Sequence, residues 1–321
     1  MRIGIIGAGM AGLTCAEELT CLGHVVLLFD KGRGPGGRMS TRRIQTSVGE
    51  VCFDHGAQYF TVRDDAFRRQ VAAWASENVA AAWPSAGPDA YVGVPAMSAP
   101  LRFMSNRQSV QWAALVTQIA AVDHRWRLVL NRGEAIDVDL VVVATPAEQA
   151  SDLLASVAPE FAAQARRAVS EPCWTVMLAF CETVAVAQNC WRGDDIIGWA
   201  ARNSSKPGRL GPESWVVQAS PSWSRLYVEA DPEWVCVTIK EALARMLGSS
   251  LPPIAGESCH RWRFARSGAD GSGALFDQNR RVGLCGDWLI GPKVEAAWLS
   301  GKMLAQQIGR AKIDSPTKHL P

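Results

Sequence analysis

The sequence lacks a strong excess of charge of either sign and lacks any long apolar run. Its 33 lysines and arginines nearly balance 31 aspartates and glutamates, which leaves a net charge of +2 over 321 residues. A polyanion such as nucleic acid is bound by a surplus of cations, which this chain does not have. The longest uncharged stretch, 108–122, is interrupted by Gln, Ser and Thr. We therefore expect a soluble globular protein that binds neither nucleic acid nor membrane.

Metal-binding and hydrolase motifs are also missing. The nine cysteines are scattered without a Cys-x-x-Cys pair, and neither His-Glu-x-x-His nor Gly-x-Ser-x-Gly occurs. These absences argue against a zinc site, a redox-active Cys-x-x-Cys dithiol, a metalloprotease and a serine hydrolase. We interpret the cysteines as small buried hydrophobic residues in a reducing compartment, and predict a cytoplasmic location.

The first 30 residues have the pattern of a strand-helix-strand unit. An apolar, β-branched run over 2–6 predicts a buried parallel strand, and it leads directly into the glycine-rich stretch 7–12. Helical apolar spacing follows over 13–22, and a second apolar strand is predicted over 25–29. Asp30 stands at the end of that strand. This order is typical of a dinucleotide-binding unit.

Each glycine of the loop has a physical role in such a unit. Gly7 permits the tight turn, Gly9 lets the backbone approach a pyrophosphate, and Gly12 lets the helix lie close to the strand. The helix N-terminus faces the phosphates, and Asp30 accepts hydrogen bonds from ribose hydroxyls.

A second glycine-rich loop comes directly after the acid. Residues 31–43 contain five cations and four glycines. A plain NAD site has no need for a second basic loop, whereas a longer cofactor whose pyrophosphate is contacted from both sides does need one. Arg38 is suited to bidentate contact with a phosphate oxygen. The alternative is a solvated basic turn.

Further segments carry a family resemblance. The second loop contains Gly-Gly-Arg-Met-Ser-Thr-Arg, residues 54–60 are Asp-His-Gly-Ala-Gln-Tyr-Phe, and residues 282–288 are Val-Gly-Leu-Cys-Gly-Asp-Trp. Together with the first glycine loop, these segments resemble the flavin-containing amine oxidase superfamily. Within it, they and His-Arg-Trp-Arg-Phe-Ala at 260–265 look most like the renalase group, especially its bacterial members. The similarity extends over most of the chain.

The resemblance implies a non-covalently bound FAD, because no cysteine or histidine occupies the position at which the family links a flavin. It also implies that the backbone of Val116 lies against adenine. The residues expected to contact the cofactor are Gly7, Gly9, Met10, Ala11, Gly12, Asp30, Lys31, Gly37, Arg38, Met39, His55, Gly56, Ala57, Gln58, Val116, Ala144, Gly286, Asp287, Lys293 and Val294.

The C-terminal part has its own physical logic. Residues 282–284 predict a strand, and Asp287 after it is placed to accept from a ribityl hydroxyl or to order water. A helix is predicted from 294 to 308, with Pro292 in its first turn. The positive end of this helix would favour a ring that carries negative charge. The resemblance implies that reduced flavin makes this contact near Val294.

Tryptophan is concentrated in the middle of the chain, where residues 166–265 hold seven of the thirteen. Tryptophans of this kind can belong to a packed core or to the walls of a pocket over a flat ring. We prefer Trp262 and Trp288 as walls because they flank the motif segments. His55 and His260 also lie in motif segments, although a structural role suits either one.

Regular elements are predicted in the rest of the chain. The predicted strands are 108–119, 125–130, 135–145, 173–180 and 215–219, and the predicted helices are 95–104, 148–157 and 233–247.

The resemblance implies an oxidase of isomeric dihydronicotinamides, reduced at the 2- or 6-position of the ring. Such an enzyme returns NAD(P)+ and passes electrons to O2 as hydrogen peroxide. Its pocket should be aromatic and bind a carboxamide, without a general base. The residues that offer this chemistry are Gln58, Tyr59, Arg202, Asn203, His260, Trp262 and Trp288. Two alternatives stay open: an oxidase of small amines, which should hold water on a lysine, and a non-catalytic FAD-binding module.

We expect an α/β fold with a Rossmann-like FAD-binding domain, built from discontinuous segments, and an inserted mixed-sheet α+β substrate domain. The predicted FAD-binding segments are 1–60, 96–165 and 270–312, the substrate segments are 61–95 and 166–269, and 313–321 is a tail.

Overall fold

The computed structural model describes residues 1–193 and 195–311, so the predicted tail lies outside the described residues. The chain divides into two compact units, and each is considered separately. The first unit comprises Met1–Gly37, Leu101–Val169 and the described part of Ser267–Pro321. The second comprises Arg38–Pro100 and Ser170–Arg266.

The elements are numbered in chain order. The strands are β1 (Arg2–Ile6), β2 (Val25–Phe29), β3 (Arg42–Thr46), β4 (Gly49–Phe53), β5 (Phe60–Thr61), β6 (Ala80–Ala82), β7 (Ala90–Gly93), β8 (Val110–Gln111), β9 (Val116–Val122), β10 (Arg125–Leu130), β11 (Ala135–Val138), β12 (Leu140–Val143), β13 (Ser170–Phe180), β14 (Cys190–Arg192), β15 (Ile197–Arg202), β16 (Ser214–Ala219), β17 (Ile254–Ser267), β18 (Leu275–Asp277) and β19 (Val282–Leu284). The helices are α1 (Met10–Cys21), α2 (Asp65–Ser76), α3 (Ala99–Ser105), α4 (Ala147–Leu154), α5 (Pro159–Arg167), α6 (Pro221–Leu226), α7 (Pro232–Leu247) and α8 (Val294–Arg310).

A six-stranded sheet forms the centre of the first unit, in the order β18-β19-β12-β1-β2-β8. All neighbouring pairs are parallel except β18 with β19. The side chains of β12 are buried on both faces of the sheet, as are those of the adjacent Ile5 and Ile6 of β1, which explains the continuous apolar runs of these strands. The two ends of the chain meet in this unit: β1 and β19 flank β12, and α1 packs against α8.

A smaller antiparallel sheet, β11-β10-β9, belongs to the same unit. Its apolar residues Leu128 and Val138 join the core that also contains α4 and α5. The indole N–H of Trp126 donates to the Arg280 carbonyl at 2.8 Å.

A five-stranded sheet dominates the second unit, in the order β14-β15-β16-β13-β17. One face packs against α7, whose buried residues Val235, Cys236, Ile239 and Leu243 follow helical spacing. Alternate residues of the strands must point to the opposite face. That opposite face is described below with the candidate site.

Two smaller sheets complete the second unit, the hairpin β3-β4 and the three-stranded β5-β7-β6. Phe60, Phe67 and Trp74 form a cluster of edge-to-face rings between β5 and α2. These contacts bury all three side chains.

Most predicted elements are present, but several differ from expectation, among them the helix predicted over 95–104, which begins only at Ala99. The strand predicted over 108–119 is broken by a turn at Trp112 and Ala113, where Ala113 has a φ of 54°. The strand predicted over 135–145 is two strands, because Asp139 bends the chain from one sheet into the other. Pro292 precedes α8, which begins at Val294, instead of lying in its first turn.

The cysteines are only partly the buried residues that we expected. Cys15, Cys236 and Cys285 are buried, whereas Cys21 and Cys181 are exposed and the other four are intermediate. Across the described residues, no helix combines the length and apolar character that crossing a bilayer requires.

The boundaries of the compact units differ from the predicted domains mainly at 38–60. These residues fall in the second unit because their hairpin and the following turn bond to it: Asn203 donates to the Cys52 carbonyl at 2.8 Å, and Gln218 to the Gly56 carbonyl at 2.8 Å.

The N-terminus of α7 gives a stability prediction. The Asp231 carboxylate accepts from the backbone N–H groups of Glu233 (2.9 Å) and Trp234 (3.1 Å), which have no partner inside the helix. Asp231→Ala should lower the free energy of unfolding by about 1 kcal/mol. Urea denaturation measures this change. Glu241→Ala, an exposed position on the same helix, is the control and should change it by less than about 0.5 kcal/mol. Equal effects of the two substitutions would contradict the capping role.

Candidate active site

The first glycine loop lies between β1 and α1 in the first unit. Gly7 has a φ of 104°, and a Cβ there would stand 2.7 Å from the Ala144 carbonyl oxygen. A Cβ on Gly12 would stand 2.0 Å from the Gly7 carbonyl oxygen. Both positions therefore require glycine, for the conformation of the turn and for the close approach of helix to strand.

Gly9 differs from these two because a Cβ there would meet nothing within 4 Å. The loop thus leaves open space at the N-terminus of α1, where backbone N–H groups and the helix dipole favour an anion. The second loop reaches the same place, since a Cβ on Gly37 would stand 3.9 Å from the Gly9 Cα atom.

A buried hydroxyl next to the loop supports the same interpretation. Thr145 follows β12, and its Cγ2 atom lies 3.4 Å from the position of a Gly7 Cβ. Within the described chain, its buried Oγ1 atom has no hydrogen-bond partner. Buried polar atoms are nearly always satisfied, so this hydroxyl is available to a ligand. The open space and the free hydroxyl fit a dinucleotide.

Asp30 organises the first loop itself. Its carboxylate accepts from the backbone N–H of Ala8 at 2.8 Å and from that of Gly32 at 2.7 Å. The expected bonds to a ribose would add to these two. Among the other predicted contacts in this unit, Met10, Ala11 and Val116 are buried, and the Lys31 ammonium donates to Gln149 at 3.2 Å.

The C-terminal motif lies in the same unit. The Gly286 N–H donates to the Ser300 hydroxyl at 2.9 Å, Asp287 is buried, and Lys293 and Val294 stand at the start of α8. Trp288 is 1% exposed and packs in the apolar core, with its indole N–H 3.3 Å from the Thr145 carbonyl oxygen. Trp288 is therefore a core residue and not the pocket wall that we expected.

In the second unit, residues 54–58 form a tight turn against the chain at Arg38. The Ala57 N–H donates to the Arg38 carbonyl at 2.8 Å, and a Cβ on Gly56 would stand 2.0 Å from that oxygen. Met39, the residue after Arg38, is also buried. The turn can take this position only with glycine at 56.

A buried ion cluster holds the turn from the other side. The Asp54 carboxylate pairs with the Lys206 ammonium at 3.3 Å and with the Arg209 guanidinium at 2.5 Å. It also accepts from the Met97 N–H at 2.9 Å. The side chains of Asp54 and Lys206 are 1% and 0% exposed, so neither charge reaches solvent.

Burial and charge compete in this cluster. Burial works to raise the pKa of Asp54, but Lys206 and Arg209 outweigh it and lower that pKa to about 2. Burial lowers the pKa of Lys206 to about 8, although Asp54 opposes the shift. The carboxylate is thus ionised at neutral pH, and the lysine is easier to deprotonate than an exposed one.

Three of the predicted substrate residues have structural partners instead. The Gln58 amide donates to the carbonyls of Asp54 and Gly56 and accepts from Lys206 at 3.2 Å. Asn203, 0% exposed, accepts from the Asp54 N–H at 3.3 Å. The Arg202 guanidinium donates to the Glu213 carboxylate and the Asn189 amide oxygen. It also donates to the carbonyls of Val184 and Val186. We expected these side chains to face a substrate, and their bonds show that they hold loops together.

His55, His260 and Trp262 lie together in the second unit. The centre of the His55 ring lies 5.0 Å from the ring centres of both His260 and Trp262. The Trp262 indole N–H donates to the His55 carbonyl at 2.9 Å. Burial, aided by His260 and Arg42, lowers the pKa of His55 to about 4. Burial also lowers the pKa of His260. Both rings are neutral at pH 7 and offer aromatic and hydrogen-bonding surface without charge.

A row of side chains crosses the sheet face opposite α7. Trp199 of β15 pairs with Gln218 of β16, which pairs with Thr175 of β13. Tyr59 lies over one end of the row, with its ring centre 5.3 Å from that of Trp199. The Gln218 Nε2 atom donates to the Gly56 carbonyl at 2.8 Å. Aromatic rings and an amide thus share one face.

Sequence reasoning missed Lys206, Arg209, Trp199 and Gln218. Lys206 and Arg209 follow Asn203 in a polar loop, but they pair with an aspartate more than 150 residues away, which no local pattern reveals. Strand alternation around 197–202 and 214–219 could have placed Trp199 and Gln218 on one face. Over 1–193 and 195–311, no three His, Cys, Asp or Glu side chains are grouped to hold a metal ion.

Comparison with known proteins agrees with this architecture. The family described as NAD(P)-binding Rossmann-like domain matches residues 5–74. A 4,4'-diapophytoene desaturase (4,4'-diaponeurosporene-forming) from Staphylococcus haemolyticus (strain JCSC1435) is 39% identical over 64 residues, which are 20% of this chain. The matched region spans 12% of that desaturase.

Solved structures resemble nearly the whole chain. A candidate protoporphyrinogen oxidase from Exiguobacterium sp. 255-15 has a TM-score of 0.75 at 13% identity, covering 96% of this chain and 98% of that one. Cyclohexylamine oxidase from Brevibacterium oxydans IH-35A gives 0.69 at 13% identity, over 96% and 98%. A putrescine oxidase bound to putrescine gives 0.67 at 12% identity, over 96% and 99%. The chain therefore shares its α/β fold with these oxidases over nearly its whole length, with a Rossmann-like domain at its start, which confirms the predicted fold class.

Neutralising Asp54, the acid of the ion cluster, should lower the stability of the folded protein strongly. Asp54→Asn leaves Lys206 and Arg209 buried without a counter-ion and should lower the free energy of unfolding at pH 7 by about 3 kcal/mol. Urea denaturation followed by tryptophan fluorescence measures this. Asp137→Asn, which removes an exposed pair with Arg127, is the control and should cost about 1 kcal/mol or less.

The lowered pKa of Asp54 predicts how the free energy of unfolding depends on pH. Because Asp54 ionises at a lower pH in the folded protein than in the unfolded chain, its contribution is complete above about pH 4. That contribution is lost as the pH falls toward about 2. Asp54→Asn should remove this part of the acid sensitivity. An unchanged decline in the variant would refute the role of Asp54.

Proposed function

We propose that the protein is an FAD-dependent oxidase of isomeric dihydronicotinamides, reduced at the 2- or 6-position, with FAD bound non-covalently. In the overall reaction, the dihydronicotinamide dinucleotide, a proton and O2 give NAD(P)+ and hydrogen peroxide. A cytoplasmic location suits this substrate.

The residues of the first unit fit the proposed cofactor. The open space at Gly9, the N-terminus of α1 and the free Thr145 hydroxyl suit a pyrophosphate, and Asp30 suits a ribose. When bound, FAD supplies the acceptor for a hydride and the route for electrons to O2.

The observation that carries the substrate proposal is the half-buried pair Tyr59 and Gln218, which lie beside the buried ring of Trp199; Thr175, the next residue in the row, is buried. Flat rings suit a nicotinamide by stacking, and the Gln218 Oε1 atom is an acceptor for the N–H of a carboxamide. The bond from Gln218 to the Gly56 carbonyl holds this amide in place, which reduces the entropy lost on binding.

The chemistry of the neighbouring residues supports the same substrate class. His55 and His260 are neutral at pH 7, and the carboxylate of Asp54 is fully engaged with cations and N–H groups. A dihydronicotinamide gives up a hydride without prior removal of a proton, so it needs no general base. The role of this chain is then to orient the ring and to exclude water.

Oxidation of a small amine is the second candidate. The buried Lys206 is the lysine that this alternative requires. Its ammonium nitrogen lies 5.4 Å from the centre of the Trp83 ring. Two of the structural neighbours are named as oxidases of putrescine and cyclohexylamine. The Lys206 ammonium has three N–H donors. Two of them bond to Asp54 and Gln58, which leaves one for a water molecule.

The open position at Gly9 separates cofactor binding from folding. Gly9→Ala should weaken FAD binding at least tenfold, about 1.4 kcal/mol, because the methyl group would occupy the space of the phosphates. Stability without FAD should change by about 1 kcal/mol or less, since the methyl group meets no other atom. Equilibrium titration with FAD and urea denaturation measure the two effects. Gly268→Ala, outside both glycine loops, is the control, because a Cβ there would make only an ordinary contact of 3.7 Å with the Val169 carbonyl oxygen. Equal FAD affinity in both variants would exclude the proposed pyrophosphate position.

The electron donor is identified by anaerobic mixing of the flavin-loaded protein with candidate donors. Isomeric dihydronicotinamides should bleach the visible flavin absorbance within milliseconds to seconds, and readmitted oxygen should restore it with formation of hydrogen peroxide. Putrescine and cyclohexylamine should leave it unchanged.

Other outcomes of that experiment decide against the proposal. Bleaching by amines alone would select the second candidate. A flavin that none of the donors bleaches would favour the third alternative, a non-catalytic FAD-binding module.

A further inference from the structure

A cavity of about 460 Å³ lies in the first unit. One side of it is the loop that follows β2, and the other is the stretch 102–112, which runs from α3 through β8. Its size falls within the range of about 300–1,000 Å³ that is typical of small-molecule sites. None of its lining residues is among those that we expect to contact FAD. The cavity is therefore a place for a second ligand.

The lining of this cavity is positively charged. Arg33 comes from the loop and Arg102 from α3, and both residues are exposed. Within the described part of the chain, neither guanidinium forms an ion pair, and no aspartate or glutamate lines the cavity. The whole chain has a net charge of only +2, so two such cations at one cavity are a local excess. The cavity should attract an anion, and a guanidinium binds a phosphate through two parallel hydrogen bonds.

Neutral N–H donors line the same cavity. The Gln108 amide oxygen accepts from the Thr20 hydroxyl at 3.2 Å, so the NH2 group of Gln108 is the part left for a ligand. Asn106 adds a second amide. Trp112 is half-buried and adds both an indole N–H and a flat ring. These donors suit the acceptor oxygens of a phosphate, and the ring suits an aromatic base.

Backbone hydrogen bonds hold the two sides of the cavity together. β2 and β8 are neighbouring parallel strands of the central sheet. After β8 the chain turns at Trp112 and Ala113, and the Ala113 N–H donates to the Gly32 carbonyl at 2.7 Å. This bond ties the turn that carries Trp112 to the loop that carries Arg33. A ligand loses less entropy on binding when the backbone around it is already held in this way.

We propose that this cavity binds a nucleoside monophosphate, as a second ligand besides the cofactor. The phosphate pairs with Arg33 and Arg102, and the base lies against the Trp112 ring. The cavity volume is many times the roughly 30 Å³ that a water molecule occupies in the liquid, so it exceeds what a phosphate ion alone would fill. The remaining space, with a flat ring beside it, favours a nucleoside phosphate over inorganic phosphate.

The second ligand does not depend on the proposed function. Arg33 belongs to the same glycine-rich loop as Lys31 and Arg38, which we expect at FAD, but it lines the cavity instead. The loop would thus contact the cofactor and the second ligand through different residues. We therefore expect the two ligands to be bound at the same time.

The test is isothermal titration calorimetry of the full-length, flavin-loaded protein with AMP. We expect AMP to bind while the flavin absorbance stays with the protein on ultrafiltration. Adenosine, which lacks the phosphate, and ribose 5-phosphate, which lacks the base, should each bind at least about tenfold more weakly. Added NaCl should weaken the binding of AMP, because the two arginines are exposed and salt screens their charge.

Variants of single arginines locate the binding site. Arg102→Gln should weaken AMP binding at least about tenfold, because it removes one of the two cations, and Arg33→Gln should do the same. Arg107→Gln is the matched control. Arg107 is also exposed, but it lies over the Phe103 ring at 4.0 Å and does not line the cavity. Its loss should change the affinity for AMP by about twofold or less.

The proposal is overturned if AMP does not bind, or if Arg102→Gln and Arg107→Gln bind it equally well. Release of FAD by AMP would also overturn it, because the cavity would then be part of the cofactor site. Ribose 5-phosphate that binds as tightly as AMP would overturn the assignment of a nucleoside. A protein that does not bind FAD would contradict the proposed function alone. The same titrations of the flavin-free protein and its Arg102→Gln variant would then decide on the cavity.

Discussion

One buried carboxylate organises the second unit. Asp54 binds Lys206 and Arg209, both far away in sequence, and accepts from the Met97 backbone. A charge removed from water requires partners, so the loops that supply the two cations and the Met97 N–H must converge on it. The turn at Gly56 is held in this way, and Gln218 binds the carbonyl of that turn. The aromatic and amide face of the sheet therefore depends on an ionic interaction that no substrate need touch.

The first unit depends on close backbone approach instead of charge. Gly7 and Gly12 bring strand, turn and helix nearer than any side chain would allow, and Gly301 does the same for α8, where a Cβ would stand 2.3 Å from the Ala11 carbonyl oxygen. Gly9, between these two glycines, differs from them because a Cβ there would meet nothing within 4 Å. The candidate cofactor site and the packing of the helices are thus two results of the same glycine placement.

The sequence predicted what depends on neighbours along the chain. The unit of β1, α1 and β2 follows from apolar spacing and glycines within about 30 residues, and the helix α7 was predicted within one residue of its observed start. Contacts between distant segments could not be predicted, and they decide the site. Gln58 and Asn203 were expected to meet a substrate, but they bond to the turn at Asp54. Trp288 belongs to a motif segment, but its side chain packs in the core. A local sequence pattern does not show whether protein atoms or a ligand will cover a ring.

The strand order of the first unit has a consequence for synthesis. β19 and α8 leave the ribosome after the other described elements, yet β19 completes the parallel sheet beside β12, and α8 covers α1. Until they emerge, the nascent chain must keep an unpaired sheet edge and an apolar helix face exposed. Segments of the second unit are finished earlier, up to Arg266. Translation thus delivers the parts of the candidate substrate face before the nucleotide-binding sheet can close, and this interval is when chaperones would be needed most.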